Sequence, residues 1–122
     1  MSIIANIFVA LIALEHFYIL VLQMFMWTSP RGRKAFRMSP QKAEATQVMA
    51  ANQGLYNGIL VAGLVWSLVQ RDPMFAFQLK LFFVGAVITA GLYGGLTVSR
   101  RIAMVQGVPA IITFVLVLLA GL

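Results

Sequence analysis

Four long apolar runs dominate this chain, and each has about the length that a helix needs to cross a bilayer. The runs cover residues 3–27, 46–70, 74–98 and 102–121; roughly 20 residues at about 1.5 Å each span the hydrocarbon core. Only 10% of the residues are charged, whereas water-soluble domains carry about 25%. Because backbone polar groups must pair internally in lipid, we expect an all-α integral membrane four-helix bundle, with residues 1–122 as a single membrane domain.

The basic residues predict how this bundle is oriented. One group lies in or beside the connections between helices 1 and 2 and between helices 3 and 4, and a smaller group flanks the middle connection. The first group is Arg31, Arg33, Lys34, Arg37, Lys42, Arg100 and Arg101, and the second is Arg71 and Lys80. Positive charge favours the cytoplasmic side, so we expect loops 1–2 and 3–4 in the cytoplasm and both termini outside a bacterial cytoplasmic (inner) membrane. The net charge of +6 then reflects topology, and no nucleic-acid partner is predicted.

Local signals predict two helix starts and one distortion. Ser39 followed by Pro40 suits the start of helix 2, which we expect to continue to about residue 70. Asp72, which also precedes a proline, is the predicted cap of helix 3. Pro109 predicts a kink in helix 4, because proline cannot donate the helical hydrogen bond.

Glu15 and His16 stand side by side in the middle of the first apolar run, near the expected bilayer midplane. A charge there costs roughly 3 kcal/mol on insertion scales, while one Leu or Ile offsets only about 0.5 kcal/mol. An ionisable pair at this depth indicates a functional site that faces the bundle interior, where it could perform acid/base chemistry or proton transfer. Glu15 and His16 are therefore the candidate catalytic residues. A pair that only fixes helix packing is the alternative.

Neutral polar side chains concentrate in the half of the bundle nearest loops 1–2 and 3–4. Helix 2 predicts two i,i+4 pairs, Asn52 with Tyr56 and Gln53 with Asn57. We predict a polar cavity that opens to the cytoplasmic side and is closed by an apolar outer half. Its predicted binding residues are Gln23, Asn52, Gln53, Tyr56, Asn57, Tyr93, Gln106, Arg100 and Arg101. Alternatively, the amides join helices and the arginines only set topology.

Two stripes of small residues predict close helix packing. Gly54 and Gly58 form a Gly-x-x-x-Gly frame in helix 2, and Gly91 and Gly95 form a similar frame in helix 3. Such frames let helix backbones approach closely in lipid. Together with the small size of the chain, they also favour a homo-oligomer.

Four segments carry a resemblance to a known family. They run from Leu14 to Tyr18, from Asn52 to Gly58, from Ala90 to Gly94 and from Gln106 to Ala110. With them, nearly the whole chain resembles a family of small bacterial four-helix membrane proteins catalogued as a domain of unknown function. The resemblance implies the four-helix membrane architecture and no established activity.

Two other classes share this architecture more loosely. The bundles of the sterol isomerases and sigma-2-like receptors are similar in placing acidic and histidine side chains in an intramembrane cavity. The membrane enzymes of eicosanoid and glutathione metabolism are similar in helix 2, where Glu44 to Gln47 is followed by Asn52 and Gln53. The arginine expected beside that set is absent from the helix interior, which argues against glutathione chemistry.

The predicted polar cavity favours a protein that binds a lipophilic small molecule or a membrane lipid with a polar or anionic end. Glu15 and His16 could also perform acid/base chemistry on the bound molecule. A proton-coupled transporter and a structural or accessory membrane subunit are the alternatives. With one histidine and no cysteine, the sequence predicts neither a metal or haem site nor another cofactor.

Overall fold

The computed structural model describes residues 2–121, which form helices joined by short connections, with no strand among them. The helices are α1 (Ser2–Phe25), α2 (Pro30–Phe36), α3 (Pro40–Ala45), α4 (Gln47–Val69), α5 (Pro73–Thr97) and α6 (Arg100–Gly121). Helices α1, α4, α5 and α6 are long and apolar enough to cross a membrane. They coincide closely with the four apolar runs, so the all-α membrane fold is confirmed. Residues 1 and 122 of the predicted single domain lie outside the described residues.

The same local motif, a capping side chain followed by proline, starts three of the helices. Ser29 Oγ accepts a hydrogen bond from the Gly32 backbone N–H at the start of α2, over 3.2 Å. Ser39 Oγ accepts from Lys42 N over 3.1 Å, and Asp72 Oδ2 accepts from Phe75 N over 3.1 Å. The last two starts were predicted, whereas α2 lies in a segment that the sequence analysis had treated as a connection. Each cap satisfies a backbone donor that the first helical turn leaves without a partner.

Helix 2 does not run unbroken from Pro40 as predicted, because the chain leaves the helix at Thr46 (φ −108°, ψ 7°). The Thr46 hydroxyl donates to Lys42 O over 2.7 Å and accepts the indole N–H of Trp27 over 3.0 Å. A threonine side chain that bonds to the carbonyl four residues earlier competes with regular helix geometry. The break separates the short α3 from the apolar α4.

The described chain divides into two compact units. The hairpin unit comprises Leu14–Val61, and the terminal unit comprises residues 2–13 and 62–121. Helices α1 and α4 each contribute to both units. The long helices expose many large apolar side chains, such as Ile3, Phe82 and Leu96. Such a surface is typical of helices that contact lipid.

Glycines of the predicted stripes lie where helices approach each other closely within each unit. In the hairpin unit, a methyl group built on Gly54 would lie 3.2 Å from Gln23 Cβ and 3.4 Å from Leu20 O on α1. In the terminal unit, a methyl group on Gly91 would lie 2.8 Å from the backbone nitrogen of Gly107 on α6. The predicted role of both stripes in helix packing is therefore confirmed.

The distortion of α6 begins before Pro109 and takes the form of a π-helical turn, Ala103–Gly107. The Val108 N–H bonds to Ala103 O, five residues earlier. A proline ring crowds the carbonyl four residues before it, and a wider turn at that position accommodates the crowding. The predicted effect of Pro109 is thus a change of helix type in the preceding turn, which also places Gly107 against Gly91.

We expect Gly91→Ala to lower the free energy of unfolding by about 1–3 kcal/mol, because its methyl group would press on backbone that cannot rotate away. Gly85→Ala is the matched control, since a methyl group there meets its nearest neighbour, Phe114 Cε2, at 3.8 Å. Reversible unfolding in mixed micelles measures both variants. Equal stability of the two variants would contradict the close contact between α5 and α6.

Candidate functional site

The start of the hairpin unit on α1 holds the only adjacent acid and histidine of the sequence. The His16 side chain is 1% exposed and the Glu15 side chain 27% exposed, with Glu15 Oε1 lying 3.8 Å from His16 Nδ1. That distance is too long for a hydrogen bond. Glu15 Oε1 is buried and accepts no hydrogen bond from the described residues. The carboxyl group is thus held close to the imidazole with one acceptor oxygen unsatisfied.

Gln23 and Asn57 form a direct bridge between α1 and α4. Asn57 Nδ2 donates to Gln23 Oε1 over 2.6 Å. Gln23 lies two turns beyond Glu15 on α1, so the bridge is roughly 12 Å further along the helix, toward α2. The predicted pairing of Asn57 with Gln53 is wrong, because the amide of Asn57 bonds across to the neighbouring helix.

The other predicted polar residues of α4 lie on its exposed surface. Asn52 Nδ2 donates to Val48 O over 3.1 Å, so its predicted pairing with Tyr56 is also wrong. An exposed asparagine on a helix readily bonds back to the carbonyl one turn earlier. Gln53 and Tyr56 are both exposed. These side chains can contact a molecule that lies along α4 in the membrane.

The remaining predicted binding residues belong to the terminal unit. Tyr93 is 70% exposed near the end of α5. Arg100 and Arg101 are exposed at the start of α6, and Gln106 is half-buried within the π-helical turn. π-helical turns occur frequently at functional sites. The predicted set is therefore divided between the units, with Glu15, His16, Gln23, Asn52, Gln53, Tyr56 and Asn57 in the hairpin unit.

Sequence reasoning missed two features of the hairpin unit. Arg31 Nη1 donates to the Tyr18 hydroxyl over 3.4 Å, which ties the basic segment to α1. The Trp27 ring lies 4.7 Å from that of Phe36, measured between centroids, and its N–H bonds to Thr46. The spacing of these residues in the sequence carries no signal for either contact.

The terminal unit also contains a cavity that the sequence did not predict. The cavity has a volume of about 440 Å³ and lies where α1 and α5 begin and α4 and α6 end. Asn6 and Lys80 are among its lining residues. This end of the helices was predicted to be apolar and closed. The apolar composition of the individual runs hid the polar groups that the four helix ends bring together.

A double-mutant cycle on Gln23→Leu and Asn57→Leu should give a coupling energy of about 0.6 kcal/mol, the usual value for an interhelical hydrogen bond in lipid. Unfolding free energies of the wild type, both single variants and the double variant give this coupling. The same cycle on Asn52 and Gln23 is the control, because the Asn52 side chain bonds within α4, to Val48 O, and to no other residue that the structure describes. Coupling near zero for Gln23 and Asn57 would contradict the bridge.

Comparison with known proteins places this chain among relatives of the same size. The family model described as "Protein of unknown function (DUF1304)" matches residues 10–118. The "Uncharacterized protein YpaA" of Lactococcus lactis subsp. lactis (strain IL1403) is 32% identical over 117 residues, which cover 94% of this chain and 97% of that protein. No solved structure matches the chain at a comparable significance. The resemblance to a family of unknown function is confirmed, and the chain belongs to the DUF1304 family.

Proposed function

We propose that this membrane protein binds a lipophilic molecule whose polar end contacts Glu15 and His16. The observation that supports the proposal is the buried oxygen Glu15 Oε1, which accepts no hydrogen bond from the described residues. Leaving a buried acceptor unpaired costs about 1–3 kcal/mol, and more for a charged group. A bound molecule with a hydroxyl or amine at its polar end would supply the missing donor.

The surroundings of Glu15 favour a ligand that is apolar over most of its length. Leu14 and Phe17, its neighbours on α1, are large and half or more exposed, as expected for side chains that meet lipid tails. A molecule that reaches Glu15 from the membrane would pass along such side chains. Only its polar end would need hydrogen bonds, so lipids and other amphiphiles are the ligand class that the site fits.

Further polar groups would extend the site from Glu15 toward the basic segment of α2. The Gln23–Asn57 bridge and the exposed Asn52, Gln53 and Tyr56 lie in this direction along α1 and α4. In the proposed topology, Arg100 and Arg101 lie on the same membrane side and attract anionic molecules to it. The amides orient the polar end, and the basic residues concentrate ligand at the surface.

The proximity of Glu15 and His16 would allow acid/base processing of the bound molecule. Their 3.8 Å separation leaves room for small shifts that bring each group within hydrogen-bond distance of the polar end of one ligand. One group could then accept a proton from one ligand atom while the other donates a proton to a neighbouring ligand atom, the division of work found in general acid/base catalysis. This step depends on the binding proposed above.

We expect native mass spectrometry of the protein released from mild detergent to show a bound amphiphile in the wild type and much less in Glu15→Gln. The substitution keeps the shape of the side chain and removes its acidity. Glu44→Gln is the matched control, because Glu44 is an exposed acid on α3 outside the long helices. Comparable loss of ligand in both variants would contradict a role specific to Glu15.

A purely structural role for Glu15 gives a different result. In that case Glu15→Gln would lower thermal stability or alter the oligomer, and any bound amphiphile would be retained. Measuring the melting temperature and the mass of the intact complex on the same samples separates the two roles. An unliganded wild type with an unchanged oligomer would also overturn the proposal.

We further propose that the protein lies in the bacterial inner membrane with the α1–α3 connection and the α5–α6 connection in the cytoplasm. Basic residues cluster in those connections, and the α4–α5 turn carries Arg71 alone. The chain contains no cysteine, so a single introduced thiol can report topology without background. Gln41 and Met74 are exposed positions at opposite ends of the proposed topology.

We expect a membrane-impermeant maleimide to label Met74→Cys in intact spheroplasts, and to label Gln41→Cys only after the membrane is permeabilised. Neither substitution changes the number of basic residues, so the charge bias that sets topology is retained. Ser99→Cys, at the exposed start of α6, serves as a second position on the cytoplasmic side. The opposite labelling pattern would show that the orientation is inverted.

A further inference from the structure

The cavity of the terminal unit is lined by none of the residues that the proposed function assigns to ligand binding. It has a volume of about 440 Å³ and is lined by both apolar and polar side chains. Ligand sites in proteins usually occupy about 300–1,000 Å³ and combine apolar walls with a few polar groups. Phe77, Leu68 and Val117 contribute apolar surface, while Asn6 and Lys80 contribute polar groups. This combination suits a molecule that has both an apolar and a polar part.

Lys80 gives the cavity its charge. It lies two turns into α5, roughly 10 Å from the helix start, at a depth where a charged group is expensive. A lysine whose only task was to reach the interface would extend along the lipid-facing surface, whereas Lys80 lines the cavity. The only acidic side chain of this unit is Asp72, and its carboxylate accepts from the Phe75 N–H at the start of α5. The cavity therefore favours an anion.

Asn6 adds a group that can contact the same anion. Its Oδ1 atom is buried and has no hydrogen-bond partner among the described residues. Because the oxygen and nitrogen of an asparagine amide exchange places on a half rotation, the same side chain can present two N–H donors. An anionic oxygen in the cavity would accept from those donors and from the Lys80 ammonium group. The unsatisfied position of Asn6 is then explained by the ligand it would bind.

We propose that this cavity binds the anionic head group of a lipid-like molecule, with a carboxylate or phosphate at Lys80 and Asn6. The apolar walls, including Phe77 and Val117, contact the first part of the acyl chain. A small inorganic anion would leave those walls without a partner, and an uncharged amphiphile would leave Lys80 without a counter-ion. The ligand class is therefore an anionic amphiphile. The site does not depend on the function proposed for Glu15.

Trp66 provides a direct probe of occupancy. It precedes Ser67, which lines the cavity, and its ring lies 5.4 Å from that of Phe75, measured between centroids. The sequence has two tryptophans, so Trp27→Phe leaves Trp66 as the only fluorescent indole. Trp27 belongs to the hairpin unit and is not one of the residues that line the cavity. A brominated fatty acid that enters the cavity will quench Trp66 at short range.

The experiment titrates dibromostearic acid into full-length Trp27→Phe protein in a neutral maltoside detergent. We expect saturable quenching that unbrominated stearate reverses, and affinity about tenfold weaker in Lys80→Gln, as for loss of a charge-assisted hydrogen bond. Lys80→Arg should retain binding because it keeps the charge. Arg71→Gln is the control for general electrostatics, since Arg71 is an exposed cation in the adjacent turn that does not line the cavity.

Competitors identify the head group and its source. Displacement by stearate alone indicates a carboxylate, whereas displacement by phosphatidylglycerol but not phosphatidylcholine indicates a lipid phosphate; either result supports the proposal. Equal displacement by the methyl ester of stearic acid would overturn it, because charge would then not matter. The proposal would also be overturned if inorganic phosphate displaced the brominated fatty acid as effectively as either amphiphile does. An unchanged affinity in Lys80→Gln with folding intact would overturn it as well.

Discussion

The structure depends on one constraint: in lipid, each backbone N–H and C=O must find a partner within the protein. Long helices satisfy the constraint everywhere except at their ends. There, the few polar side chains of the protein form hydrogen bonds with the backbone groups that would otherwise lack a partner. Ser29, Ser39 and Asp72 each accept a hydrogen bond from a backbone N–H in a first helical turn. Each also precedes a proline, which has no N–H that would need an acceptor. The connections can therefore be short, which brings consecutive apolar helices together.

The same environment explains why glycine decides where the helices meet. Lipid tails are as apolar as leucine, so helices gain little from burying apolar side chains against one another and associate instead through close packing. Gly54 lets α4 approach α1, and Gly91 lets α5 approach the π-helical turn of α6 at Gly107. Pro109 contributes indirectly, since the wide turn that accommodates it shapes the backbone that Gly91 contacts. Packing and helix distortion in α6 are thus one feature.

Sequence predicts this fold well wherever the cause is local. The position of each long helix follows from the extent of its apolar run. The helix starts at Ser39 and Asp72 follow from these capping residues and the prolines after them. The Ser29–Pro30 start carries the same signal and was missed because the surrounding segment is basic and short. The break at Thr46 was not predictable from its neighbours, because the Thr46 hydroxyl also accepts from Trp27, a residue distant in sequence.

The candidate sites were predictable only in part, for the same reason. Glu15 and His16 are conspicuous in an apolar run, so composition alone singles them out. The partner of Asn57 was assigned to its own helix, since i,i+4 spacing describes one helix and says nothing about the residue that α1 places opposite. The cavity at Lys80 needed the ends of α1, α4, α5 and α6 together, and the ends of α1, α4 and α5 each contribute only one or two polar side chains.

The distribution of charge gives the two proposals a common basis. Of the three acidic residues, Asp72 caps α5 and Glu44 is exposed on α3. The basic residues lie in connections or at helix ends, with the exception of Lys80. Glu15 and Lys80 are therefore the charged side chains within the interior of the long helices, where each is expensive and neither caps a helix nor serves the loops. A donor for Glu15 and an anion for Lys80 would each offset that cost, and a membrane rich in amphiphiles supplies both.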